Sequence, residues 1–547
     1  MKCKKKYDDF VEEAKNYEKI LTKYRETGEV FVDPNFHPSK KIQENITIQY
    51  LNKTKYWKRI DEIYPAPLFQ KELIKPEYVN QGKLCDCYLI GALSRIAIQP
   101  HLVPLLFETD MPNKILGCVP NSINIKCGAV VVYFFCFGRR TPVLIDTLLP
   151  MHPSYKLRLS SPSIPTASPW FCLVEKAFAK LNGSFSNINW GFFEESFYAF
   201  FNYYPTVKQV SKLCKPPKID KMSVFDRIMK YNEQGAVMSV GIDMYKTKAT
   251  MRELNKNKML AGHSYTILKA KEFEDKKFIC IQNPWGRFEW GGDWSKKSKL
   301  WTNELKKEFN LNEKEDGIFW MDEKDFCKYF TTIRVCKPIS PDWHCKQFSI
   351  QAKPSIHDGH NVTNIIPYFN KKTYYALKVI DQIPESSRCR FHIIVECRIR
   401  PLKNKLLVYN KCPVYRVMLA HLNGEKLNSS NFNNSKIKEF EMKDIISSIK
   451  YDVDCNDDII TMSVYRSTKS IMVEDFFVTI YSDYNFDLYN LDDPTNLLPE
   501  IENNKSLFNV FSINNGEDED DMEMSSSEET DDDKNNNKRY NIKNYDR

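Results

Sequence analysis

Near residue 340 the spacing of apolar residues changes character, and that change decides how many bodies the chain can fold into. From about 30 to 336 the sequence is dense in aromatics and alternates helix-period with strand-period segments. Phe171, Val174, Phe178 and Leu181, spaced by three and four, predict a helix that Gly183 stops. From about 340 to 485 helix-period patterns are nearly absent. Short runs (TYYALKVI, RFHIIVEC, PVYRVMLAHL, IITMSVYR, DFFVTIYS) are separated by Asn, Ser, Pro and Asp clusters, which predicts an antiparallel sandwich. A chain of 547 residues exceeds what one hydrophobic core organises, so two to four domains are expected.

The two ends read differently. Phe10, Ala14, Tyr17, Leu21 and Tyr24 recur at helical spacing before Gly28, predicting one amphipathic helix over residues 7–25. Beyond 486 the chain drifts into a tail with 11 acidic residues and no Lys or Arg between Glu517 and Asp533. Such a segment cannot bury enough apolar surface to order itself, so a disordered acidic tail is expected. The net charge of +8 therefore understates how basic the rest is. Lys and Arg are nowhere concentrated among aromatics, which predicts a solvated surface and no nucleic-acid partner. The start, MKCKKKYDDF, lacks the apolar run of a secretory signal. Ala129 to Phe137 is too short to span a bilayer and reads as a buried strand, so no transmembrane segment is expected. The 16 cysteines are scattered, without a C-x-x-C pair or Cys/His cluster, as expected of reduced thiols in a cytoplasmic protein.

One of those cysteines is placed for chemistry. Leu89, Leu93, Ile96 and Ala97 define the apolar face of a helix that Asp86 is suited to cap, which puts Cys87 in the first turn. The unsatisfied N–H groups and positive dipole there favour thiolate, although a packed cysteine would fit the helix equally well. Of nine histidines, seven lack a partner motif nearby and His421 reads as a half-buried sandwich histidine, whereas His263 opens a strand and shares a face with Tyr265 and Ile267. A polar turn and a second strand, FICIQ, lead into Asn283-Pro-Trp-Gly. In a hairpin, facing residues have numbers with a constant sum. Pairing His263 with Asn283 centres the turn on Phe273, inside the polar segment. An amide oxygen at Asn283 would then fix the imidazole tautomer and aim its other nitrogen at a nucleophile.

Gln81-Gly-Lys-Leu-Cys-Asp-Cys-Tyr, Gly262-His-Ser-Tyr and the string Asn283-Pro-Trp-Gly-Arg-Phe-Glu-Trp-Gly-Gly-Asp-Trp-Ser resemble, in this order, the cysteine, histidine and asparagine motifs of the calpain family. Phe31-Val-Asp-Pro-Asn-Phe, Ile145-Asp-Thr-Leu-Leu-Pro and Trp170-Phe-Cys-Leu-Val-Glu-Lys-Ala-Phe-Ala-Lys-Leu-Asn-Gly-Ser are further matches. The similarity spans roughly residues 31 to 336, and the region after it resembles the family's β-sandwich by position and texture. The resemblance implies an α+β fold: a two-subdomain papain-like protease core, an antiparallel C2-like β-sandwich and the acidic tail. Its boundaries would be an N-terminal helix over 1–30, a Cys-bearing subdomain over 31–206 and a His/Asn-bearing one over 207–336. The sandwich would run over 337–485, with linker and tail over 486–547. It also implies roles. Cys87 would attack a peptide carbonyl, His263 would carry the proton, and Asn283 would orient the ring under the shield of Trp285. Gln81 would donate to the oxyanion. Protein substrates are the implied partners, with anionic phospholipid a further one through the sandwich.

The departures from the family pattern are informative. Cys85 stands where Gly is usual, Tyr88 where Trp is usual, and Phe201-Asn-Tyr where the family carries Thr-Gly-Gly. Glu289 and Asp316 match calcium ligands of the second subdomain, but Lys296 replaces an Asp and Ile318 a Glu. Tyr78 and Ser168 replace an Asp and a Glu in the first. Calcium requires several hard oxygen ligands, so weak or absent binding in the core is expected. Asp452, Asp454, Asp457 and Asp458 form an acidic turn in the sandwich, read mainly as solvated and secondarily as a calcium or lipid loop. No EF-hand loop occurs, so a calpain lacking the penta-EF-hand domain is expected. The expected function is limited intracellular proteolysis by a thiol endopeptidase. The alternatives are a catalytically impaired scaffold or regulator and, more distantly, a papain-like acyltransferase.

Overall fold

Burying charge forces the N-terminal half together. The computed structural model describes residues 2–37, 57–107, 123–136, 138–150, 159–214, 222–340, 342–350, 374–384, 387–396, 415–421, 425, 437–442, 446–453, 459–466, 476–491 and 493–498. The acidic tail and Asp454, Asp457 and Asp458 lie outside these residues. The amphipathic segment expected as one helix forms two, α1 (Lys2–Lys15) and α2 (Tyr17–Thr27). The break falls at Asn16, whose N–H donates to Glu13 O, three residues back, while its side-chain amide reaches Glu12 O. A short polar side chain that competes for the helix carbonyls is a recurrent cause of such breaks. Gly28, at φ +70°, closes α2 as the sequence requires.

The first subdomain is built from α3 (Cys87–Ala97), α4 (Trp170–Leu181), α5 (Phe193–Phe201) and the hairpin β1 (Ala129–Cys136) and β2 (Arg139–Asp146). Every residue of α4 is buried, three charges included. Lys176 donates to the Asp146 carboxylate and to the carbonyls of Asp146 (3.0 Å) and Leu148 (2.8 Å). Lys180 donates to Asp33 (2.8 Å), Glu13 (2.6 Å) and Leu144 O (2.6 Å). Asp33 in turn accepts from the N–H groups of Asn35 and Phe36, and its own N–H donates to Asp146. The motifs around Asp33, Asp146 and Lys176 therefore meet in one buried ion network, which makes each charge tolerable at zero exposure.

In the second subdomain β3 (Tyr204–Gln209), β4 (Val237–Gly241), β5 (Ser264–Phe273), β6 (Lys276–Gln282), β7 (Ile318–Asp322) and β8 (Thr332–Lys337) form an antiparallel sheet in the order β7-β6-β5-β4-β8-β3. Since β3 pairs along β8 from Tyr204 to Gln209, this subdomain begins a few residues before the expected position 207. Alternate residues (Val240, Tyr265, Ile267, Ile279, Ile281, Phe319, Met321) fill its core, as half-buried strands require.

The expected sandwich strands all form. TYYALKVI and RFHIIVEC give β9 (Tyr375–Val379) and β10 (Cys389–Glu396); PVYRVMLAHL, IITMSVYR and DFFVTIYS give Tyr415–His421, Ile459–Arg466 and Phe476–Ser482. They are distributed over a four-stranded and a six-stranded antiparallel sheet. Phe391, Ile393, Val395, Val417, Leu419, Val478 and Ile480, all at period two, bury the core between them. Phe486–Asn490 and Asp493–Leu497 add two strands to the larger sheet, so the sandwich continues past the expected boundary at 485. It docks on the end of the first subdomain through polar pairs sealed from water. Tyr198 donates to Glu396 (2.9 Å), and Asn202 Nδ2 donates to the Tyr481 hydroxyl (2.5 Å). Asn202 sits at φ +58°, a left-handed position that Asn tolerates, within the Phe201-Asn-Tyr departure. Among the described residues no single helix is long and apolar enough to cross a membrane.

Candidate active site

Helix α3 lies across strand β5, and Gly91 allows the approach. A Cβ added there would stand 2.5 Å from Thr266 Oγ1. Tyr88 through Ala97 are buried except for Arg95, so the helix is enclosed on nearly every side and its apolar face is wider than the spacing implied. This crossing sets the first turn of α3 against the start of β5. The Ser264 N–H, next to His263, is the main group that opposes burial at the Cys87 thiol.

Asp86 does occupy the N-cap position, but its side chain makes no cap bond. It turns inward to face Glu175, whose Oε2 accepts from the N–H of Ser160 (2.9 Å) and from its hydroxyl (2.5 Å). Both carboxyls are at zero exposure, and burial holds both above the usual carboxylate range. Burial and the neighbouring carboxyl act in the same direction on Asp86, since two adjacent carboxylates repel in a dry site.

His263 and Asn283 are brought together by the hairpin of β5 and β6. His263 Nε2 lies 2.8 Å from Asn283 Oδ1, with His263 8% exposed and Asn283 fully buried. The ladder reaches this juxtaposition by a different register from the one expected. Phe273 pairs with Lys276, placing the turn at Glu274 and Asp275, and a bulge between Ile267 and Lys269 shifts the upper pairs to Thr266 with Gln282. Asn283 thus leaves the ladder and comes back to His263 through its side chain. Trp285 lies with its ring centroid 4.8 Å from that of His263, and its backbone N–H donates to Asn283 Oδ1 (3.1 Å).

Two loops from different subdomains close over these groups. Gln81 N–H donates to Pro284 O (2.8 Å), and Gln282 Nε2 donates to Pro76 O (2.7 Å). Gly286, at φ +65°, leaves room for Asn80, whose Oδ1 a Cβ would approach to 2.4 Å. The Gln81 side-chain amide donates to Leu84 O (2.5 Å), within its own loop. Cys85 points outward, its N–H bonded to Asn189 Oδ1 (3.0 Å) and its carbonyl to Trp190 N–H (2.8 Å), so the loop accommodates it. Tyr88 replaces tryptophan by packing against Gly191 and donating to Ile188 O (3.2 Å).

Electrostatically the site is neutral. Burial pushes the Cys87 thiol up to about 12, against the opposing Ser264 N–H, with Asp86 and Cys85 raising it further. Burial lowers His263 to about 4, against the opposing bond to Asn283. The thiolate that a helix N-terminus favours is therefore not the resting form here: desolvation outweighs the dipole. The site thus combines a thiol that burial raises with an imidazole that burial lowers, the latter held by Asn283.

The calcium positions are filled by the chain itself. Lys296 Nζ donates to Glu289 Oε1 (2.8 Å), Asp316 Oδ1 (2.6 Å) and Lys314 O (2.6 Å), with the ammonium side chain 7% exposed. Ile318 contributes its N–H, which donates to Asp316 Oδ1 (2.9 Å). In the first subdomain Ser168 donates to Leu68 O (2.6 Å) and Leu73 O (3.1 Å), and the Tyr78 ring lies under Lys75. Ammonium in the coordination shell repels a cation, so these residues do not fit calcium. Among the described residues no group of three or more His, Cys, Asp or Glu is placed to hold a metal ion. The sequence lacked any sign that Lys296 reaches all three oxygens or that Asp86 meets Glu175. Gly91 inside an apolar helix was the one visible sign of a close approach.

Residues 31–337 match the calpain family of cysteine proteases. The chain is 28% identical over 337 residues to the calpain-2 catalytic subunit of Mus musculus, covering 60% of this chain and 45% of that protein. It is 27% identical over 344 residues to the calpain-1 catalytic subunit of Homo sapiens, covering 60% and 44%. The match spans less than half the length of these relatives.

Proposed function

Because the chain belongs to the calpain family of cysteine proteases, we propose that it is a thiol endopeptidase making limited cuts in cytoplasmic proteins, with Cys87, His263 and Asn283 as its catalytic residues. The observation that carries the reading is the His263–Asn283 hydrogen bond at the start of the strand that the Cys87 helix crosses. Asn283 Oδ1 accepts from Nε2–H, which leaves the lone pair on Nδ1. A ring kept neutral at physiological pH can take the Cys87 proton as the sulfur attacks the scissile carbonyl. His263 then returns that proton to the leaving amine, giving a thioester that water hydrolyses. The Cys87 N–H and the Gln81 amide are the donors for the oxyanion, the latter exchanging Leu84 O for it. Trp285 covers the His263–Asn283 bond and keeps water from it.

The eleven free cysteines among the described residues support work in a reducing compartment. The two-sheet domain is read as the family's C2-like sandwich and, through its loops, as a contact for anionic phospholipid. An epoxide thiol-protease inhibitor should form a covalent adduct at Cys87 by mass spectrometry, and no adduct under any activating condition argues against the enzyme. Casein cleavage by the wild type should exceed that by Cys87→Ala on the order of 10³-fold or more. The scaffold reading draws on the protonated thiol and on the Gln81 amide held at Leu84 O, and equal cleavage by the two proteins would favour it.

A further inference from the structure

The loop that closes behind Asn283 is organised around a cation supplied by the chain. Glu289 Oε1, besides Lys296, accepts the N–H groups of Asp316 (2.8 Å) and Gly317 (2.9 Å). Asp316 uses its second oxygen for Asn312 Nδ2 (2.6 Å). Two carboxylates and the carbonyl of Lys314 thus converge on one ammonium, the donor set a small oxygen-ligated cation would otherwise use. Remove the positive charge and two carboxylates, 10% and 13% exposed, face each other with only N–H groups and the Asn312 amide to hold them.

This cluster touches the base's support at two points. The Asn283 N–H donates to Gly317 O (2.8 Å), and Asn283 Nδ2 donates to Phe288 O (3.3 Å). Phe288 precedes Glu289 and Gly317 follows Asp316, so each anchor of Asn283 is one residue from a carboxylate that Lys296 holds. Gly317 is tightly seated: at φ +83°, an added Cβ would meet Asn283 O at 2.5 Å. The geometry points to Lys296 as a built-in cation that takes the place of a divalent ion between Glu289 and Asp316 and so positions Asn283 without metal. The positioning half rests on the proposed role of Asn283. The cation half does not, and the two can fail separately.

The test uses the full chain with calcium as the probe. Wild type should show the same melting temperature in EDTA and in millimolar calcium, within about 1 °C. Lys296→Asp, which adds a third carboxylate, should melt about 5 °C or more lower in EDTA and recover at least half of that in calcium. Lys296→Met should melt lower in both, since two carboxylates hold the ion poorly. The pH profile of Cys87 alkylation should move in Lys296→Asp without calcium and return with it, whereas a purely structural lysine would leave the profile in place. A calcium response of wild type that Glu289→Gln abolishes overturns the proposal, as does a Lys296→Asp protein whose melting ignores calcium. Melting that recovers while the profile does not would leave the cation and remove the positioning. Should Lys296→Asp not be recovered folded, calcium titration of wild type against Glu289→Gln decides alone.

Discussion

The subdomain that carries Cys87 and the one that carries His263 both bury carboxylates, and they hold them differently. Behind His263 and Asn283, two acids share one ammonium. Behind Cys87, Asp86 faces Glu175, and burial raises both. Further along α4, Lys176 and Lys180 do pair with acids, but those acids come from distant segments. Burial acts in opposite directions on an acid and on an imidazole, raising Glu175 and lowering His263. The difference predicts opposite pH behaviour on the two sides of the cleft.

The contrast can be broken by removing charges one at a time. Lys176→Met removes the ammonium that pairs with Asp146 at zero exposure, so unfolding free energy should fall by about 3–5 kcal/mol in urea titrations. A loss under about 1 kcal/mol would mean the network bears little of the fold. Next comes His263→Gln. His263 stays neutral in the folded chain down to about pH 4, whereas the unfolded chain takes up a proton below about 6.5. The unfolded state thus binds more protons in that window, and wild-type stability falls as pH drops through it. Relative to His263→Gln the loss should approach about 3 kcal/mol by pH 4 and level off below. Parallel stability curves would show the ring is more hydrated than its burial implies.

The smaller effect has the opposite sign. Glu175 titrates above its ordinary value when folded, so its contribution is complete below about pH 4.5 and is lost as pH rises toward and through its folded value. Glu175→Gln should therefore gain on wild type between pH 5 and 8 in the same urea series. If the variant loses ground at the alkaline end instead, Glu175 is ionised and a cation must reach it.

What could be read before folding follows the distance over which each contact acts. The sandwich strands were legible because alternation at period two is written in consecutive residues such as Phe391, Ile393 and Val395. The meeting of His263 with Asn283 was legible because a single hairpin joins them. Its register was not, since the bulge after Ile267 depends on packing against both neighbouring strands. The break at Asn16 escaped for a related reason: apolar spacing continues through it, and only the side chain's reach to Glu12 O interrupts the helix.

Sequence by itself determined the kinds of group available and their local order: a cysteine at a helix start, a histidine and an asparagine across one turn, a lysine among acids. Tertiary structure decided their charge states. Desolvation depends on what the whole fold places around a group. The same first-turn position that favours a thiolate in water becomes, under α3's burial against β5 and beside Asp86, the site of a neutral thiol.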